Sequence, residues 1–339
     1  MAAIPRVRLG RSNLEVGRLA LGAWGFQNPT APDAASIDDP EEIRRVLATA
    51  LAAGMDLVDS AEVYANEELL GTLLRDMPAP AGRVVVSTKF GHGKGFSGAQ
   101  IRDSVERSLT AWGLDSIPLF MVHDPRNDEH LAEIAAPGGA LPELRRLQDE
   151  GLVGSIGMAT GSLPPLQAAV ESDEWDVIQF PRLYTLLNDA ALTSGLLEAA
   201  KAKDIGTILT SPFTGNILGT GVRRGGKLAY SFMPAIPEVV EAAGRIEDEA
   251  ESLGIDMPTA ALAFGLQQEL IDVIVFGVTS VAELEADIAA VAAARTPEYA
   301  PERLARLVAA GAIDPVLLGG PSFTLPFPAE RREAILAQR

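Results

Sequence analysis

The chain has 339 residues, 47% hydrophobic and 22% charged with both signs interspersed, a composition that can bury a large core and excludes disorder. Its 46 acidic against 28 basic residues leave a net charge of −18, which repels phosphate backbones and anionic bilayers, so neither nucleic acid nor a membrane is an expected partner. With no cysteine and three scattered histidines, disulfides, thiolate nucleophiles and zinc-type ligand sets drop out.

The first segment, MAAIPRVRLGRS, lacks an apolar stretch long enough for a signal peptide or a membrane span, so a cytoplasmic protein is expected. RVRLGRSNLEVGR (6 to 18) has the strand, polar Gly turn, strand pattern of a hairpin. Eight short apolar runs then alternate with longer segments of helical spacing. They are LALGAWGF (19 to 26), MDLVDSA (55 to 61), VVVSTKF (84 to 90), IPLFMVH (117 to 123), VGSIGMA (153 to 159), WDVIQF (175 to 180), IGTILTS (205 to 211) and DVIVFG (272 to 277). Segments such as DPEEIRRVLATALAAG (39 to 54) and GAQIRDSVERSLTAWG (98 to 113) read as the crossover helices.

Eight parallel strands with crossover helices close a barrel, so the predicted fold is an α/β (β/α)8 TIM barrel whose N-terminal hairpin plugs the bottom. Composition is continuous to residue 294. The Gly- and Pro-rich stretch VLLGGPSFTLPFPAE and a short terminal helix follow. We therefore expect one domain over 1–313 and a C-terminal extension, 314–339, packing on the barrel.

Barrel enzymes carry their reactive groups where strands end. Asp59, Lys89 and His123 close the second, third and fourth runs, and Tyr64 follows Asp59 in the loop AEVYANEE. Singly these are a turn cap, a solvated strand end, a satisfied core histidine and a packing tyrosine. Together they supply a hydride-transfer site. A phenol with a pKa of about 10 needs a nearby ammonium to reach its anion, and Lys89 can be that charge, balanced by Asp59. His123 can donate to the substrate oxygen. Trp24, at the first strand's end, is expected to wall the substrate pocket, while Trp112 and Trp175 read as packing and His92 and His130 as solvated.

On ALAAGMDLVDSAEVYANEELLG (50 to 71), VVVSTKFG (84 to 91), SVERSLTAWGLDSIPLFMVHDP (104 to 125) and GLVGSIGMA (151 to 159) the chain resembles the aldo-keto reductase superfamily. DVIQFPRLYTLLN (176 to 188), NILGTG (216 to 221) and LAYSFMPA (228 to 235) look most like its D-threo-aldose and L-fucose dehydrogenase branch, which includes pyridoxal 4-dehydrogenase. The resemblance implies a catalytic set Asp59, Tyr64, Lys89 and His123, with Tyr64 as general acid or base. It implies a nicotinamide cofactor held by Ala23, Thr160, Gln179, Ser211, Phe213, Gly277, Thr279, Glu283 and Asp287. Two family features depart here. The Ser-Asn after the fifth strand is Ala159 and Thr160, and the aromatic residue after the seventh is Thr210, for which Phe213 is a candidate substitute.

Around the adenosine end, NADP-using relatives place arginine, glutamine and asparagine where this chain has Thr279, Glu283 and Asp287. A 2′-phosphate needs a cationic partner, whereas a ribose 2′-hydroxyl can donate to a carboxylate. NAD is thus the expected cofactor, with NADP possible. Arg223, Arg224 and Lys227, in an acid-free stretch from Ile205 to Pro237, read as a clamp over the cofactor pyrophosphate or as a solvated loop.

The expected activity is oxidation of an aldose at its anomeric carbinol to a lactone. Reduction of small aldehydes or ketones, and a pyridoxal-type dehydrogenase, are alternatives, as is a non-enzymatic nicotinamide-sensing barrel. The partner is then a small sugar or aldehyde, and an oligomer is possible. A dinucleotide fold of the Rossmann kind does not fit, because GHGKGF (91 to 96) has the wrong glycine spacing and position. No tyrosine has a lysine four residues on, which removes the short-chain dehydrogenases.

Overall fold

The computed structural model describes residues 4–27, 36–77, 84–223, 228–230 and 233–318. The apolar runs become strands because each is bounded by residues that end it. The hairpin strands are β1 (Arg6–Arg8) and β2 (Glu15–Gly17); the barrel then takes β3 (Leu19–Gly22), β4 (Leu57–Asp59), β5 (Val85–Phe90), β6 (Ile117–His123), β7 (Val153–Ala159), β8 (Val177–Pro181) and β9 (Gly206–Thr210). A small antiparallel pair, β10 (Ala229–Tyr230) and β11 (Met233–Pro234), precedes the last barrel strand, β12 (Val273–Phe276). β3 to β9 pair in sequence order, all parallel, and β12 closes the ring between β9 and β3.

Local signals set the crossover helices. Asp39 caps the helix Pro40–Ala53 by accepting from the Glu41 amide, and Gly54 stops it at φ +94°. Ser97 and Gln100 form a reciprocal capping box at the start of Gly98–Trp112, which ends on Gly113 at φ +66°.

Alternation along each strand splits the core in two. The larger part lies between the barrel and its helices. The smaller fills the barrel, with Ala20, Leu57, Val85, Leu119, Met121, Val177, Ile208 and Val273 meeting Leu9 and Val16 of the hairpin segment. The N-terminal hairpin therefore closes the bottom. Its turn lies so close to β9 that a Cβ at Gly10, itself at φ +48°, would fall 2.1 Å from the Gly206 nitrogen. Arg8 holds Asp204 through both guanidinium nitrogens at 2.8 and 2.7 Å.

With the bottom plugged, the C-terminal strand ends are the open face. Left-handed backbone at non-glycine residues gathers there: Ala65 (φ 56°), Asp124 (63°), Arg182 (60°), Ser211 (55°) and Thr214 (57°) all follow barrel strands. Such conformations cost about 1–3 kcal/mol each and mark functional faces. Of the segment 314–339, Leu318 is buried in the outer core, and 319–339 lie outside the described residues. No described helix is long and apolar enough to cross a membrane.

Candidate active site

Two residues above the filled barrel layer, the inward positions turn polar. Asp59 is two after Leu57, Lys89 four after Val85, His123 two after Met121 and Gln179 two after Val177, so the alternation that buries the apolar set presents these side chains to the mouth. The Lys89 ammonium lies 2.9 and 2.8 Å from the two Asp59 oxygens and 2.6 Å from the Ser60 carbonyl. Both residues are 5% exposed or less, and the carboxylate also accepts from Ser87 Oγ at 2.9 Å and Gln179 Nε2 at 3.1 Å. This saturation is what permits an ion pair so far from water.

Tyr64 ends a single turn, Glu62–Tyr64, just past β4. Its ring meets His123 edge-on at 6.2 Å between centroids and lies 5.8 Å below Lys89 Nζ. Burial, then the charges of Asp59 and Asp124, push the phenol well above its ordinary value, while Arg182 pulls it down. Sequence reasoning made Lys89 the charge that eases the phenol toward its anion; in the structure that ammonium spends its contacts on Asp59 and Ser60. Burial, followed by the charge of Lys89, lowers His123 to about 3. The imidazole is therefore neutral at ordinary pH and keeps one N–H donor.

Beside His123 stands a group that sequence reasoning did not assign. Asp124 is 8% exposed and accepts from Arg126 at 2.9 and 2.5 Å; His92 Nδ1 lies 3.0 Å from it. Burial raises this carboxyl, but those hydrogen bonds outweigh it and hold the group below its ordinary value. His92 and His130, expected to be solvated, are partly exposed and also make ring contacts. His92 lies 5.3 Å from the His123 ring, tilted by 42°, and His130 packs on Phe96 and accepts from the Arg126 amide.

Asn66 was also missed. It is 1% exposed, donates to the Ala23 and Phe26 carbonyls at 2.8 Å each and accepts from Ser60 Oγ, tying the β3 loop to the Tyr64 turn. Ala23 is buried with its amide on the Asp59 carbonyl, and half-buried Trp24 follows at the same rim. Arg182, 2% exposed just past the end of β8, is the third omission; it lies two residues beyond the apolar run WDVIQF, so the signal that found Lys89 did not mark it.

The other cofactor candidates divide. Thr160 Oγ1 donates to the Pro125 carbonyl at 2.8 Å and accepts from the Ser162 amide. Gln179 spends its amide nitrogen on Asp59. Ser211 bonds its amide to the Val275 carbonyl, and Phe213, 8% exposed, packs edge-on to Phe276 at 6.1 Å. Exposed Gly277 sits beside the end of β3. Glu283 folds back to accept from the Thr279 amide and hydroxyl, both at 2.7 Å, on the first turn of helix Val281–Ala293. Asp287, one turn on, is 7% exposed, and burial, then Glu283 and Asp256, push its carboxyl up to about 7. Arg223 pairs with Asp248 and Glu251 of helix Pro237–Leu253; Arg224 and Lys227 lie outside the described residues.

Three curated relatives match most of the chain. A D-threo-aldose 1-dehydrogenase of a Pseudomonas species is 28% identical, covering 78% of this chain and 88% of its own length. An L-galactose dehydrogenase of Arabidopsis thaliana is 27% identical over 86% and 89%. A pyridoxal 4-dehydrogenase of Microbacterium luteolum is 24% identical over 83% and 91%. In fold, an aldo-keto reductase structure from Pseudomonas aeruginosa superposes with a TM-score of 0.63 over 87% of this chain and 99% of its own, at 24% identity. The model of the Aldo/keto reductase family matches residues 18–308, nearly the whole barrel, and the chain therefore belongs to that family of nicotinamide-using oxidoreductases of carbinol and carbonyl groups.

Proposed function

We propose that the protein oxidises an aldose at its anomeric carbinol to the lactone, with NAD preferred over NADP. The observation that carries this reading is the pair of Tyr64 and His123, rings 6.2 Å apart above the Asp59–Lys89 pair, where one substrate oxygen can meet both. Relatives named as D-threo-aldose and L-galactose dehydrogenases support the sugar.

The unpartnered polar atoms support a polar cofactor. His123 Nδ1, Tyr230 Oη and Asp287 Oδ2 are buried atoms without a hydrogen-bond partner among the described residues, as expected of groups that await a ligand. Gln179, Ser211, Phe213 and Gly277 would flank the nicotinamide side, with Ala23 and Thr160 behind it. The start of helix Val281–Ala293 would take the adenosine end, where Thr279, Glu283 and Asp287 offer no cation to a 2′-phosphate. The cofactor supplies the hydride acceptor. Tyr64 takes the proton from the carbinol oxygen, and His123 holds that oxygen through its neutral N–H. Trp24 walls the sugar side.

One observation favours the second reading, reduction of small aldehydes or ketones: the raised phenol of Tyr64 is a proton donor at neutral pH. A panel of L-fucose, L-galactose and D-arabinose, each with NAD and NADP, separates the two. NAD-linked oxidation with the larger kcat/KM supports the proposal. Activity confined to carbonyl reduction, or a clear preference for NADP, removes the corresponding half.

A further inference from the structure

The loop that follows β5 is anchored to both strands whose ends carry Tyr64 and His123. It reads GHGKG, with Gly91, Gly93 and Gly95 at φ +128°, +71° and +107°. At Gly91 the backbone runs so close to the end of β6 that a Cβ would fall 2.4 Å from the Phe96 ring and 3.1 Å from the His123 carbonyl oxygen. Three residues on, Lys94 Nζ bonds Glu62, on the turn that carries Tyr64, at 3.2 Å. His92 lies between these two anchors in the chain. Its ring centroid is 5.3 Å from that of His123, whose ring in turn meets that of Tyr64 at 6.2 Å.

The neighbours of His92 fix what each of its nitrogens can do. Nδ1 lies 3.0 Å from Asp124 Oδ2, an oxygen that also takes two N–H donors from Arg126. Burial raises the Asp124 carboxyl, but the bonds from His92 and Arg126 hold it below its ordinary value, so near neutral pH it is a carboxylate and only accepts. The hydrogen between the two groups therefore belongs to Nδ1, and in the neutral imidazole Nε2 is left as a lone-pair acceptor. No described residue bonds to Nε2, and the side chain is 42% exposed. An accessible acceptor, locked in one tautomer beside the imidazole that holds the reacting oxygen, is equipped to recognise a second hydroxyl.

We propose that His92 Nε2 accepts a hydrogen bond from the substrate hydroxyl vicinal to the reacting carbon, which makes the site selective for 2-hydroxylated aldoses and aldehydes. This deepens the aldose reading of the same site and rests on His123 holding the reacting oxygen. Vicinal oxygens are separated by a single carbon–carbon bond, so two adjacent imidazoles can hold one each. A substrate lacking that hydroxyl would strip water from Nε2 and return no donor, the penalty by which a polar site rejects a deoxygenated analogue.

The test uses substrate pairs that differ only at that hydroxyl, with the full-length protein: L-galactose against 2-deoxy-L-galactose with NAD, and lactaldehyde against propanal with NADH. In His92→Phe, kcat/KM should fall about tenfold for the hydroxylated member of each pair and stay near that of the wild type for the other. His92→Gln keeps an acceptor on a side chain of similar reach and should restore part of the loss. Arg126 continues to satisfy Asp124 in both variants, so neither strands the buried carboxylate. Equal loss for both members of a pair would make His92 a prop for His123 and overturns the proposal, as does a ratio that His92→Phe leaves unchanged. If the wild type oxidises neither sugar, the aldose reading falls and the lactaldehyde pair still decides this inference. Oxidation of L-galactose with a ratio indifferent to His92→Phe removes this inference alone.

Discussion

At the scale of single residues, the site consists of charges whose cost is met by neighbours. Tyr64→Phe deletes only the hydroxyl that acts on the substrate oxygen, so turnover should fall about 100-fold or more while cofactor affinity, read by fluorescence titration, stays near that of the wild type. Lys89→Met has a different expected signature. It strands the Asp59 carboxylate, 5% exposed, without its cation, and should cost about 3–5 kcal/mol of stability as well as activity. The double variant Asp59→Asn/Lys89→Met should regain much of that stability but not the activity. A double-mutant cycle by chemical denaturation decides this, and equal losses in single and double variants would refute it. Asp59, Lys89 and His123 were legible because a polar residue closing an apolar run stands out in a linear reading. Asn66 and Asp124 were not, because their partners Ala23 and His92 lie 43 and 32 residues away and only the closed barrel brings them together.

At the scale of elements, strand positions were the most legible feature, since IPLFMVH and VGSIGMA match β6 and β7 residue for residue. Period-2 burial against a filled barrel leaves little freedom in where such runs begin. What the sequence did not reveal is how helices are pinned to strands by buried polar groups. Glu67, 6% exposed on helix Glu67–Asp76, accepts from Thr88 Oγ1 of β5 at 2.5 Å and from Ser108 Oγ at 3.0 Å and Trp112 Nε1 at 2.9 Å on helix Gly98–Trp112. Trp112, expected only to pack, is thus also a donor. Glu67→Leu would leave three buried donors without acceptors, each worth about 1 kcal/mol or more, and should cost about 3 kcal/mol in all. Denaturant titration should show a lowered midpoint with an unchanged slope, and KM values should be preserved because the site lies on other residues. A stability within error of the wild type would mean the network is water-accessible and does not hold these elements together.

At the scale of the whole molecule, an excess of 18 negative charges makes every buried acid a liability, and Asp287 is the clearest case. It was expected to be a cofactor contact, but it is 7% exposed, and its Oδ2 has no hydrogen-bond partner among the described residues. A helical repeat read from sequence shows which face Asp287 shares, not that the neighbouring helix Met257–Gln267 brings the Asp256 charge toward it. Burial, then Glu283 and Asp256, raise its pKa to about 7, against about 3.9 for an unfolded aspartate. Because the folded value lies above the unfolded one, the folded state binds the proton more tightly. The stability this gives is complete below the unfolded pKa and is lost as pH rises through about 7. Asp287→Asn removes that dependence. The variant should match the wild type near pH 4 and exceed it by a few kcal/mol at pH 8, read as a higher Tm at the alkaline end of a thermal-unfolding series without cofactor. Parallel Tm curves across the series would show that Asp287 titrates alike in the folded and unfolded chains. Adding NAD tests the other half of its assignment: if Asp287 accepts the ribose hydroxyl, Asp287→Asn should reduce the Tm rise that NAD confers, even where the bare protein has become more stable.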